Sequence, residues 1–91
     1  MMKMLELIIS GRVQGIGYRA YALRIAQNLD IKGSVRNLPD GRVRVIAFAE
    51  EDVMDLFILK LRKGPTFSLV RDVLINEMEI TDTYKDFRIE Y

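Results

Sequence analysis

The 91-residue sequence has no cysteine, no histidine and no tryptophan. Without the first two, disulfides, a structural zinc site, thiolate and imidazole nucleophiles, and the commonest general base are all excluded. Stability must come from packing, which for a chain of this size amounts to roughly 5 kcal/mol. Charge of one sign is also missing. Lys and Arg total 14 against 13 Asp and Glu, so the net charge of +1 is too small to drive binding along a nucleic-acid backbone. Any anion site must therefore be local. No long hydrophobic run occurs either. The apolar stretch around Leu5, Leu7, Ile8 and Ile9 is broken by Glu6 and is too short for a signal peptide or a membrane span. A cytoplasmic protein with no membrane partner is expected.

What remains is a globular composition. Hydrophobic residues make up 49% and charged residues 30%, enough apolar material for a core and too little charge excess for disorder. The length predicts one domain over residues 1–91, with its chemistry on a single core rather than in a cleft between domains.

From Met4 to Ser10, Leu5, Leu7 and Ile9 alternate with Glu6, Ile8 and Ser10, the period of a strand with one buried face. Tyr18 to Leu29 places Tyr18, Ala22, Ile25, Ala26 and Leu29 at helical spacing. Gly33 to Leu38 and Arg42 to Phe48 read as strands joined by a tight turn at Pro39, Asp40 and Gly41. Glu51 to Lys63 opens acidic and closes on Arg62, Lys63, Gly64 and Pro65, the charge order and stop of a helix. Ser68 to Glu79 reads as a long strand, and Phe87, Ile89 and Tyr91 alternate in a short last one. The order β-α-β-β-α-β plus a C-terminal strand predicts an α+β, ferredoxin-like two-layer sandwich, with two helices on one face of an antiparallel sheet.

Between the first strand and the first helix lies GRVQGIGYR, Gly11 to Arg19. Glycines there let successive amides converge, and the helix start lacks a Ser, Thr, Asp or Asn cap, so its first donors want an acceptor. The helix dipole and Arg19 add positive charge at the same spot. Neither a Gly-Lys-Ser/Thr ending nor GxGxxG spacing is present, so a small phosphate group fits better than a nucleotide. On glycine spacing alone, however, a plain turn with a solvated arginine is the better account of the segment.

As a whole, GRVQGIGYR resembles the signature of the acylphosphatase family, and VRNLPDGRV, Val35 to Val43, resembles its second signature. The family's arginine falls on Arg19 and its asparagine on Asn37, 18 positions apart as the pattern requires. LRKGP, Leu61 to Pro65, is also similar, and the resemblance covers essentially the whole chain. It implies hydrolysis of small acyl phosphates to a carboxylate and inorganic phosphate, with no metal or other cofactor. Arg19 and the amides of Gln14, Gly15, Ile16, Gly17 and Tyr18 would bind the phosphoryl group, and Asn37 would orient the attacking water. Side-chain roles beyond these are supporting: Gln14 is expected to bond across the loop, Tyr18 to anchor in the core, Asp40 to serve the turn, and Arg12 and Arg36 to be solvated.

Two departures stand out. Many relatives carry an aromatic residue where this chain has Ser34 and a polar one where it has Phe48. Leu56 and Leu59 lie off the main apolar face of the second helix, and Ile46 and Phe48 are expected on an uncovered sheet face. A monomer is expected, with weak self-association through these residues as the sharper alternative. A non-catalytic module of the same fold that binds phosphate or an acyl phosphate is the competing functional class. RNA is disfavoured by the low net charge and the lack of paired aromatic and basic residues on the strands.

Overall fold

A computed structural model covers residues 1–91. The elements are β1 (Met2–Arg12), α1 (Tyr18–Asn28), β2 (Lys32–Asn37), β3 (Val43–Glu50), α2 (Glu51–Lys63), β4 (Leu69–Met78) and β5 (Phe87–Glu90). They form the ferredoxin-like sandwich read from the sequence, with five strands in the order β4-β1-β3-β2-β5. The first four pair antiparallel, as expected. β5 departs from that pattern, running parallel to β2 and making the sheet mixed.

Alternation decides which face each strand buries. Leu5, Leu7 and Ile9 of β1 and Val43, Val45 and Ala47 of β3 join one cluster with Tyr18, Ala22, Ile25 and Ala26 of α1 and Met54, Phe57 and Leu61 of α2. Phe87 meets the Phe57 ring edge-on, with centroids 6.1 Å apart.

Each helix ends on a definite stop, that of α2 as read from the sequence. Asp30 takes φ 55 just after α1, the amide of Asp30 donates to the Gln27 carbonyl, and that of Ile31 donates to the Ala26 carbonyl. This is a Schellman stop built on an aspartate instead of the usual glycine. In α2, Glu51 and Asp52 occupy the first turn and Lys60, Arg62 and Lys63 the last, complementing the helix dipole. Gly64 follows at φ 67, where a Cβ would strike the Ser68 hydroxyl.

The second sheet face is not uncovered. β4 and β5 lie at opposite edges, so the connection between them must cross the face away from the helices. It seals Ile46 to 2% exposure, correcting the expectation that this residue faces solvent. Phe48 borders the same crossing segment, beside Ile80, Thr81, Asp82 and Tyr84. Thr81 donates to the Met4 sulfur at 3.8 Å, and the buried Ser34 hydroxyl reaches that of Tyr84 at 3.3 Å. Tyr84 thus brings an aromatic side chain from the crossing segment to Ser34. Leu56 and Leu59 are exposed on α2, as read. No helix is long and apolar enough to cross a membrane.

Candidate active site

β1 ends at Arg12 and α1 begins at Tyr18, leaving Val13–Gly17 as a loop at one end of the sheet. Gly15 and Gly17 sit at φ 77 and 81, left-handed values that a side chain would strain. Gly17 is the N-cap, and neither it nor any neighbour offers a side-chain acceptor; the first turn carries no acidic residue. The first helical bond inside the loop's reach is from the Tyr21 amide to the Gly17 carbonyl at 3.0 Å. None of the backbone N–H groups from Gln14 to Ala20 donates a hydrogen bond within the protein. A run of free donors around a helix N-terminus is an anion cradle in search of an acceptor.

Arg19 projects from the first turn of α1. It belongs to none of the four ion pairs, which join Met1 to Glu50, Asp40 to Arg42, Glu6 to Arg44 and Asp86 to Arg88. Its guanidinium instead lies over the Tyr91 ring, 4.9 Å from the centroid. An aromatic face steadies the cation without neutralising it, so the charge stays available for an oxyanion.

Asn37 is the last residue of β2 and follows Val35 on the same, core-facing side. The strand's pleat therefore turns its side chain toward the helix layer, at the end of the sheet where α1 starts. Its Oδ1 is closed off from solvent and has no hydrogen-bond partner. A buried unpaired oxygen costs about 1–3 kcal/mol, which marks a polar group held for something other than packing.

Gln14 connects the two parts. Its Nε2 donates to the carbonyls of Leu38 and Arg42, both at 2.8 Å, tying the glycine loop to the hairpin that carries Asn37. Tyr18 anchors the other side: the ring is buried and its hydroxyl donates to the Leu61 carbonyl at 2.8 Å. Burial pushes that hydroxyl's pKa well above the ordinary tyrosine value. Tyr21 donates likewise to the Lys60 carbonyl at 2.7 Å, so two tyrosines fix the start of α1 against the last turn of α2.

These elements enclose a concave pocket of about 190 Å³ lined by Val13, Gly15, Gly17, Tyr18, Arg19, Ala20, Asn37, Ile89 and Tyr91. Arg19 and Asn37, distant in sequence, meet there with the glycines. Gln14 and Ile16 do not line it: the Gln14 side chain is pinned to the hairpin, and Ile16 packs against the core. Asp40 serves the turn, accepting from the Arg42 amide at 3.1 Å and from its Nε at 2.7 Å. The backbone bond and then the guanidinium lower its carboxyl pKa. Arg12 and Arg36 are exposed. Sequence reasoning missed Val13, Ala20, Ile89 and Tyr91 as pocket wall. The alternation of Phe87, Ile89 and Tyr91 was the available signal for the last two, but it did not say where that strand docks.

Comparison with known proteins bears on the fold and the family. A curated acylphosphatase from Archaeoglobus fulgidus is 44% identical over 87 residues, 96% of this chain and 97% of that protein. The crystal structure of acylphosphatase from Bacillus subtilis superposes with a TM-score of 0.94 at 32% identity, covering 100% of both chains. Full-length HypF in its phosphate- and nucleotide-bound form matches with a TM-score of 0.87 at 28% identity, covering 100% of this chain and 12% of that much longer one. The acylphosphatase family model matches residues 5–89, leaving almost nothing of the sequence outside it, and the chain belongs to the acylphosphatase family.

Proposed function

We propose that this protein hydrolyses the carboxyl-phosphate bond of small acyl phosphates, releasing a carboxylate and inorganic phosphate, with Arg19 and Asn37 as the catalytic side chains and no metal. Family membership supports the reaction class. The observation that carries the assignment of roles is the row of unpartnered amides from Gln14 to Ala20, wrapped around an arginine with no counter-charge and facing Asn37 across one small pocket.

The leaving group is a carboxylate whose conjugate acid has a pKa near 4, so it departs without a proton and no general acid is required. The remaining tasks are to hold the phosphoryl oxygens, to stabilise their charge as the bond breaks, and to place a water in line. The loop amides and the Arg19 fork perform the first two. The Asn37 amide, which can donate and accept but is not basic, performs the third. The substrate phosphate then takes the proton released by the attacking water. Val13, Ala20, Ile89 and Tyr91 give the acyl group an apolar wall, and a volume of about 190 Å³ suits a phosphoryl group with a short acyl chain. Sites for larger ligands run to about 300–1,000 Å³.

The test is hydrolysis of benzoyl phosphate, followed by ultraviolet absorbance. The protein is expected to accelerate release of benzoate well above the buffer rate without added metal and in the presence of a chelator. A rate equal to buffer would leave the competing reading, a module that binds the same group without cleaving it, as 12% of HypF resembles this chain inside a larger protein. Both readings require the cradle to take an oxyanion. Inorganic phosphate at tenfold excess over its dissociation constant is therefore expected to stabilise the fold by about 1.4 kcal/mol, read as a rise in melting temperature. An Arg19→Ala variant shifting as much as wild type would place the anion elsewhere.

A further inference from the structure

The β1–β3 ladder ends with Ile9 opposite Val43, and beyond it β1 continues against β4 alone. The glycine loop that follows, Val13–Gly17, thus parts company with the hairpin that carries Asn37. Two hydrogen bonds bring them back together, and both come from Gln14 Nε2, to the carbonyls of Leu38 and Arg42. No other hydrogen bond joins Val13–Gly17 to Asn37–Val43. The hairpin does not need these two to close. The Leu38 carbonyl also accepts from the Gly41 amide at 3.2 Å, and the Arg42 carbonyl from the Leu38 amide at 2.8 Å. Nor does the cradle depend on them for an anchor, since the start of α1 is held from the other side by the Tyr18 hydroxyl on the Leu61 carbonyl.

We propose that Gln14 is a positioning residue: its two bonds fix the distance between the anion cradle and Asn37, and so align the attacking water with the bound phosphoryl group. The inference rests on the roles proposed above for the cradle and for Asn37. Leu38 and Arg42, which Gln14 grips, stand next to the rung in which Asn37 faces Val43. The Asn37 Oδ1 has no partner of its own, so the place of that side chain in the pocket is set through its backbone. Holding phosphate uses the cradle and Arg19. In-line attack uses the cradle and Asn37 together, and only that step depends on the span that Gln14 sets. Both partners of Gln14 are carbonyl oxygens, which only a donor can satisfy, so its N–H groups matter and not its bulk.

Benzoyl phosphate kinetics on single and double variants test the assignment. In Gln14→Ala, kcat is expected to fall about 30-fold, within the roughly 10²-fold that a misplacement of about 1 Å costs. KM and the dissociation constant of inorganic phosphate should stay within about threefold of wild type. Gln14→Met keeps the length and bulk without the donors and is expected to match the alanine variant; it replaces that variant if circular dichroism melting shows it unfolded. In an Asn37→Ala background, adding Gln14→Ala is expected to change kcat by less than about threefold, because the residue through which it acts is gone. Fully additive losses overturn the proposal, and so does wild-type kcat in Gln14→Met. Phosphate affinity falling as far as kcat also overturns it, by making Gln14 part of the cradle's own shape. Unfolding of both single variants does the same, by making Gln14 a structural tie. A wild-type rate equal to buffer removes the hydrolytic reading and this inference with it, whereas wild-type hydrolysis indifferent to Gln14 removes the inference alone.

Discussion

Arg19→Ala is expected to lower kcat/KM for benzoyl phosphate by about 10³-fold, comparable to the loss of other arginines that stabilise a transferring phosphoryl group. The size follows from what Arg19 lacks. No carboxylate shares its charge, so all of that charge is directed into the pocket. The fold should hardly notice the change, because the guanidinium makes no internal hydrogen bond and only stacks on the exposed Tyr91 ring. Melting without phosphate should therefore match wild type within about 1 kcal/mol, while the phosphate-induced shift disappears. Arg19→Lys keeps the charge but loses the planar fork and is expected to fall in between. A kcat/KM within threefold of wild type for the alanine variant would remove Arg19 from the mechanism.

Asn37→Ala should separate catalysis from stability. A residue that only orients water acts in the transition state, so kcat is expected to fall about 10²- to 10³-fold with KM nearly unchanged. Stability should move the other way. Its Oδ1 is buried without a partner, and removing it relieves a desolvation cost that should appear as about 1 kcal/mol of added stability, read from denaturant or thermal unfolding. Asn37→Asp is similar in shape but sets a negative charge where the phosphoryl group arrives, so KM should rise as well as kcat fall. Unchanged kcat in Asn37→Ala would mean that the asparagine is a turn residue and nothing more.

Much of this architecture was legible because its signals are local. The acidic start and the basic, Gly64-Pro65 stop of α2 gave its boundaries to the residue. Pro39, Asp40 and Gly41 announced the turn, and the missing cap before Tyr18 announced the open helix start. Gln14 was legible as a cross-loop donor, though its carbonyl partners were not. What escaped depends on topology. Nothing around Phe87 says that β5 adds to β2 rather than elsewhere, and nothing around Ile46 says that a segment about 35 residues later will cover it. The two sites of error share one cause, the crossing between opposite edges of the sheet. Arg19 and Asn37 are a different case: no local signal raised either above a solvated arginine or a turn residue, the resemblance of two separate motifs to one family singled them out, and the fold brings both to one pocket.

The strand order also governs how the chain assembles. In β4-β1-β3-β2-β5 only β2 and β3 are neighbours both in sequence and in the sheet. That hairpin can close locally in about 1–10 μs. Every other pairing joins segments separated by at least one whole element, and its loop-closure entropy comes before any contact repays it. Such non-local sheets acquire their native form in milliseconds to seconds. Asn37 thus rides on the one pair of strands whose meeting is local, and the rest of the pocket depends on longer closures.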